Sequence, residues 1–473
     1  MSSKIDTSEH ADVKRQINAE NETYSSDFSL NISGHVYEIK SVTSDTFDSF
    51  VKNHPNTDVC QLTSWAKVKS PAWVSEHIAL FCDDKMVAAA SLLFRKIPMT
   101  PWSLCYSPRG FLVDFDNPSD VEAIVKACIH VAKKHRAFEI KIDPNIERTQ
   151  GKTAITRLKE NGFIHKGFTM GIVDSQPRFA MITNIDRSLD DVLNSFEKET
   201  KRLVGRSQKF ELCIEECGID KLDVFSNIMG ITGKRDRFFI RDNDYFEKIL
   251  NYFSGDAELF LVSTTYENLY ALKMREKSEL KKSKDKLNLK LNTLMSKIED
   301  LNSEVSDHEK LSSLERKTKN IKKELDIIDK KILDNDAVTN GDVSNKVKNG
   351  FGNEKIYLSG ALMVYCGSIA YYMYAASIDE YRELFPNYFM QWELMKIAKE
   401  RGCKFYDFGG VSGYTDEEDL KNDAAAGLYY FKKTFGTVLF ERVGEFDLVI
   451  NPFVKQLFNT AMKMRKTLLS LKK

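Results

Sequence analysis

The sequence predicts a mixed α/β protein of two blocks with a similar strand–helix rhythm, the second interrupted by a projecting helical hairpin. Three observations lead there. Short apolar strands alternate with amphipathic helices from about residue 35 onward. The order of strands and helices in the first block recurs in the second. Between residues 276 and 334 the pattern changes to heptads: Leu287, Leu291, Leu294, Ile298, Leu301 and Val305 form one apolar seam. After a polar break at Ser306-Asp307-His308, a second seam follows at Leu311, Leu314, Ile321, Leu325, Ile328 and Ile332. Alternating steps of three and four describe two helices zipped along one stripe, an antiparallel coiled-coil hairpin. At about 1.5 Å per residue each helix would reach about 40 Å. It reads either as a spacer or dimerisation coil, or as an arm that reaches for something large.

The elements follow in order. Residues 35–39 read as a strand and 44–51 as a helix. Residues 78–82 and 86–93 form a hairpin around Asp83-Asp84-Lys85. Residues 102–113 are aromatic and β-rich, with a turn at Ser107-Pro108-Arg109-Gly110. Residues 121–134 have helical periodicity, and 138–143 alternate like a strand that stops at Pro144. In the second block, 180–185 read as a strand, 189–208 as one basic amphipathic helix and 259–263 as a strand. After the hairpin, a Gly/Asn-rich connector at 340–353 leads to strands at 355–366 and 368–375. A helix at 388–401 is stopped by Gly402. Phe405-Tyr406-Asp407-Phe408-Gly409-Gly410 reads as a buried strand ending on two glycines. Residues 453–473 form a basic amphipathic helix, suited either to docking on the core or to lying on a membrane surface.

The 473 residues allow two or three domains. Formal net charge is zero, so any basic surface for a polyanion must be local. Eight cysteines are scattered without a paired metal-ligand spacing, which reads as reduced thiols with no metal. Residues 1–31 are polar and predict a disordered lead-in. No secretory leader and no apolar run of bilayer length is visible, which predicts a cytoplasmic protein.

No P-loop, HExxH or GxSxG motif appears. Arg202-x-x-Gly205-x-Ser207 is a partial match to the pyrophosphate loop of acyl-CoA-dependent acetyltransferases, lacking its further small residue. Four stretches in the last third are more informative together. They are Tyr371-Tyr372-Met373-Tyr374-Ala375-Ala376-Ser377, Tyr406-Asp407-Phe408-Gly409-Gly410-Val411, residues 427–436 around Phe431-Lys432-Lys433, and Val443-Gly444-Glu445-Phe446-Asp447. Upstream stand Trp65-Ala66-Lys67-Val68-Lys69 with Trp73, Tyr106-Ser107-Pro108-Arg109-Gly110, Asp143-Pro144, Gln176-Pro177-Arg178 and Arg241-x-x-x-Tyr245-Phe246. In this order and spacing the set resembles the FemABX family, whose members carry amino acids from aminoacyl-tRNA onto the stem peptide of peptidoglycan precursors.

The resemblance implies two tandem acetyltransferase-like (GNAT-type) domains: 32–177 with 444–473, and 178–275 with 335–443, the arm occupying 276–334. It implies an aminoacyltransferase without cofactor that adds Gly, Ala or Ser to lipid II or UDP-MurNAc-pentapeptide. The arm would then contact tRNA, aided by Lys273, Arg275, Lys277, Lys281, Lys282, Lys284 and Lys286 near its base. A lipid-linked acceptor would place the protein peripherally at the inner face of the plasma membrane.

Attack of an amine on an ester needs a cation or N–H for the oxyanion and an acceptor for the amine's proton. The resemblance gives the first role to Lys432 and the second to Asp143. It gives Lys69, Arg241, Tyr245, Tyr374 and Glu445 to the diphosphate-sugar-peptide acceptor. Read from the residues alone, Lys432 is an exposed member of a Lys-Lys pair, Asp143 a turn former, and Glu445 half of an ion pair. Phe138 stands where some members have a tyrosine, which removes one hydroxyl from the expected acceptor contacts. The alternative is a CoA-dependent N-acyltransferase; a catalytically inert coiled-coil adaptor is a third reading.

Overall fold

The computed structural model describes residues 23–24, 27–171, 175–236, 239–303, 308–423 and 425–470. Two mixed sheets carry the molecule, one of nine strands and one of seven. In the first, the strands Val74–Cys82, Lys85–Lys96 and Ser103–Ser107 run as an antiparallel meander. The hairpin between the first two turns on Asp83 and Asp84, both with positive φ (45° and 67°). That is the mirror-turn geometry a tight hairpin demands and that Asp tolerates. The helix Pro118–Lys134 then crosses over to Ala137–Ile142, which pairs in parallel with Ser103–Ser107. Proline in its first turn and Asn117 capping the amides of Ser119 and Asp120 fix where this helix starts.

The second sheet repeats the plan. Ala257–Thr265, Lys355–Cys366 and Ile369–Ser377 form the meander. The helix Pro386–Glu400, again begun by proline, crosses over to Phe405–Val411, parallel to Ile369–Ser377. In each sheet one further strand is inserted beyond the parallel pair. Phe446–Val449 lies between Ala137–Ile142 and Ile164–His165. Phe179–Asn184 lies between Phe405–Val411 and Val438–Glu441. The chain thus returns after the second sheet to complete the first.

One apolar core joins the two halves. Phe47, Val51, Leu62, Trp65 and Val68 from the first pack with Phe225, Met229, Phe246, Leu261 and Leu362 from the second. The lobes therefore share buried surface and are held as one body.

The arm is two helices, Tyr266–Ser303 and His308–Asn340. It starts earlier than residue 276, and the 38 residues of its first helix make it about 57 Å long at about 1.5 Å per residue. Both seams face inward: Leu287, Leu291, Leu294, Ile298 and Leu301 are half-buried among exposed neighbours, and Ile321, Leu325 and Ile328 are buried. Val305, Ser306 and Asp307 lie outside the described residues.

Several expectations are corrected. The single helix at 189–208 is two, Leu189–Asn194 and Lys198–Ser207, separated where Phe196 is buried against Trp392 and Phe435. The connector contains the helix Asp342–Lys348. The lead-in ends sooner than residue 31, because Ser29–Ile32 pairs with His35–Ile39; residues 1–22, 25 and 26 lie outside the described part. No helix among the described residues is long and apolar enough to cross a membrane.

Candidate functional site

The helix Thr63–Lys69 ends where the two lobes meet. There Lys69 Nζ donates to Tyr245 Oη at 2.8 Å and sits 4.0 Å from the Trp65 ring centroid. Tyr245, on the helix Asn243–Tyr252, also accepts from Tyr374 Oη at 3.3 Å. The Arg241 guanidinium lies 5.0 Å over the Tyr245 ring. Four of the expected acceptor residues thus meet, one from the first lobe and three from the second. Burial lowers the Lys69 pKa to about 8; the nearby Cys60 opposes this and Arg241 adds to it. Among the described residues no carboxylate forms an ion pair with Lys69, which is largely buried, or with Arg241, which is exposed.

Lys432 is not an exposed lysine. It lies on the helix Ala426–Lys433, 5% accessible, and donates to the Gly410 carbonyl at 3.0 Å. The local backbone explains the site. Ile369–Ser377 and Phe405–Val411 pair in parallel only as far as Tyr371 opposite Asp407, and then part. Gly409 follows with φ +80°, and a Cβ there would stand 3.8 Å from Lys432 Nζ. Gly409 supplies the positive φ at the split, and Gly410 leaves room for the Pro177 ring, which a Cβ there would meet at 2.4 Å. Burial lowers the Lys432 pKa to about 8 against the pull of Asp407, so the side chain is mainly charged at pH 7.

Asp143 ends the strand Ala137–Ile142. Its Oδ1 accepts from the Arg109 amide (2.9 Å) and Tyr106 Oη (3.0 Å), and its Oδ2 pairs with Arg109 Nη1 at 3.0 Å. One acceptor position on Oδ2 is left. Burial raises its pKa, with Arg109 opposing, which makes it a stronger base than an ordinary aspartate. Glu445 does not join the Lys69 cluster. It borders the same small crevice as Asp143, Arg109 and Arg442, pairs with Lys141 at 2.8 Å and accepts the Ser175 amide at 2.7 Å. Phe138 packs against Phe458, ring centroids 5.1 Å apart, under the last helix. A hydroxyl at that position would face the helix.

Between Asp143 and Lys432 lies a set of buried groups that the sequence does not reveal. It holds two ion pairs, Arg109 with Asp143 at 3.0 Å and Arg442 with Asp407 at 3.9 Å. Asp58 favours the charge on both arginines, while Arg109 opposes the charge on Arg442 and Asp58 that on Asp407. The set crosses from one lobe to the other. Arg109 and Asp407 lie inside motifs already singled out. Asp58 and Arg442 carry no local signal, since only the fold brings them there.

Arg202, Gly205 and Ser207 lie within the helix Lys198–Ser207, so they form no loop to cradle a pyrophosphate.

The fold thus combines two mixed sheets, a buried ammonium where one sheet splits, and two cations without carboxylate partners among the described residues where the lobes meet. The chain belongs to the FemAB family, whose model matches residues 42–463. It is 39% identical over 421 residues to the lipid II:glycine glycyltransferase of Staphylococcus aureus (strain USA300), covering 88% of this chain and 94% of that one. The Staphylococcus epidermidis protein of the same name is 39% identical over 419 residues, covering 88% and 93%. The crystal structure of FemX superposes with a TM-score of 0.69 at 37% identity, covering 89% of this chain and 99% of that one.

Because the folded-state pKa of Lys432 lies below its unfolded value, the unfolded chain binds the extra proton, and this group's contribution to stability rises with pH from about 8 toward 10.5. Keeping it charged at pH 7 costs about 3 kcal/mol at about 1.4 kcal/mol per pH unit. The Tm of Lys432→Met relative to the unsubstituted protein should be highest at pH 7 and decline toward pH 10. A pH-independent difference in thermal denaturation would show that Lys432 titrates normally.

Proposed function

We propose that the protein is an aminoacyltransferase that moves glycine, the amino acid named for its relatives, from aminoacyl-tRNA onto the stem peptide of lipid II, building the interpeptide bridge. The observation that carries this reading is the Lys69–Tyr245–Tyr374–Arg241 cluster. Two cations without carboxylate partners and two phenols, drawn from both lobes, suit the diphosphate of a precursor.

In this reading the stem-peptide amine reaches toward Lys432 while the diphosphate is held at Lys69 and Arg241. The neutral amine attacks the ester carbonyl, and the carbonyl oxygen becomes an oxyanion. Lys432, already desolvated and fixed by Gly410, stabilises that charge without reorganising. The free position on Asp143 Oδ2 takes the amine's proton, helped by its raised pKa. Collapse of the intermediate expels the ribose oxygen of the tRNA, which takes up a proton, and leaves an amide. Glu445 holds Lys141 and the amide of Ser175, and so shapes the acceptor side of the Asp143 crevice.

The arm serves the tRNA. Arg275, Lys281, Lys282 and Lys286 are exposed, whereas Lys273 pairs with Glu383, and Lys277 and Lys284 pair with Asp336 and Asp329 across the hairpin. Fewer cations are therefore available to phosphates than the sequence suggested. A lipid-linked acceptor puts the enzyme at the inner face of the plasma membrane.

Lys432→Met should lower kcat for glycyl transfer from charged tRNA to lipid II by about 10²–10³ with little change in KM; near-normal turnover refutes the assigned role. Lys69→Ala should instead raise the KM for the acceptor about 10- to 100-fold, the loss of one charged hydrogen bond. An unchanged KM would move the diphosphate elsewhere. Replacing residues 280–332 by a short loop should leave acceptor binding intact and raise the KM for charged tRNA; equal tRNA use would show that the arm has another purpose.

A further inference from the structure

We propose that one end of the first lobe is a docking face for an anionic lipid bilayer, formed jointly by the helix Pro452–Ser470 and the turn after Lys96; the proposal rests on the lipid-linked acceptor reading. The two elements meet at one strand end. Ser103, which closes the turn, hydrogen-bonds through its amide to the Arg136 carbonyl at 3.1 Å, next to Ala137-Phe138. The Phe138 carbonyl accepts the amides of Ile450 and Asn451, which lead into the helix.

The helix is anchored by a few contacts only. Val454 is buried, Phe458 packs on Phe138, and Lys455 pairs with Glu139. Among the described residues several of its apolar side chains face solvent: Phe453 is 70% exposed, Leu457 55% and Met464 63%. At 100° per residue these three fall within a narrow arc beside Val454. Met99, at the tip of Pro98-Met99-Thr100-Pro101, is fully exposed. Such apolar groups scattered singly would be ordinary; gathered at one end they are not.

Charge selects the occupant. The helix carries no acidic residue. Lys96, Arg136, Lys463 and Arg465 are exposed, and none has an ion pair among the described residues. The acidic groups near this end have partners: Glu76 hydrogen-bonds His135, Asp27 pairs with Lys134 and Glu139 with Lys455. Cations flanking an apolar strip match an interfacial helix on anionic headgroups. The face also adjoins the acceptor cluster. The Trp73 amide donates to the Lys69 carbonyl at 3.2 Å, and Arg95 lies 5.7 Å from the Trp73 ring. Docking there would present Lys69 and Arg241 to a diphosphate held at the bilayer surface.

The full chain is sedimented with vesicles of phosphatidylcholine containing phosphatidylglycerol, without lipid II, and with phosphatidylcholine alone. The expected result is binding to the anionic vesicles at least tenfold stronger than to the neutral ones, weakened by salt. Phe453→Ser/Leu457→Ser/Met464→Ser and, separately, Lys463→Glu/Arg465→Glu should each lose at least tenfold. Tm should be unchanged, because these side chains are exposed. The triple variant should still use lipid II dispersed in detergent while losing transfer to lipid II embedded in vesicles. Absence of vesicle binding by the unsubstituted protein, or equal binding by the triple variant, overturns the proposal. So does a dimer in sedimentation velocity that the triple variant abolishes, since the strip would then face a second copy. Failure to transfer to lipid II in any form would defeat the functional reading alone and leave the vesicle result standing.

Discussion

Two buried ion pairs, Arg109 with Asp143 and Arg442 with Asp407, set beside Asp58 and Lys432, constrain the rest of this protein. Each group has been taken out of water, and opposite charges offset part of that cost. Removing one partner of a buried ion pair leaves an uncompensated charge, which costs about 3–5 kcal/mol. The set spans both lobes, and Arg109 also donates to the Pro177 carbonyl at 2.9 Å in the segment that joins them. The lobes therefore cannot slide without breaking polar contacts as well as the shared apolar core. A fixed relation between Lys432 and the Lys69 cluster follows, and a reaction between two large substrates needs that rigidity.

The two lysines illustrate how one physical effect serves two purposes. Burial lowers both to about 8. Under the proposed function, the cost of the charge at Lys69 would be relieved when an anion arrives, so desolvation would favour acceptor binding. Lys432 donates to a carbonyl of the split strand, and its charge would be further relieved when an oxyanion forms. The first arrangement would favour the bound state, the second the transition state.

Much of the fold was legible because local and tertiary preferences agree. Asp83-Asp84 demands a tight hairpin whatever surrounds it. Pro118 and Pro386 start their helices, and the heptad seam specifies the arm. The helix at 189–208 was misread because its periodicity is continuous while its packing is not: burial of Phe196 among Trp392 and Phe435 breaks it. Ser29–Ile32 was missed because a polar edge strand resembles a loop in composition. In the site, Lys69, Arg241, Tyr245 and Tyr374 were findable as a set only through family resemblance, and the structure brings these four together. Asp58 and Arg442 were invisible. A buried aspartate and a buried arginine look like surface residues until the fold places an opposite charge beside each.

The insertion of Phe446–Val449 into the middle of the first sheet has a consequence for biosynthesis. Ala137–Ile142 and Ile164–His165 emerge from the ribosome early, yet the strand that bridges them is translated after more than half the chain. Until then the nascent first lobe carries an open seam of unsatisfied amides and carbonyls, a template for wrong pairing. Closure waits for a strand made far downstream, and that sequence separation makes it slow. The finished lobe thereby gains a kinetic lock: the inserted strand must peel away before the two strands it bridges can part.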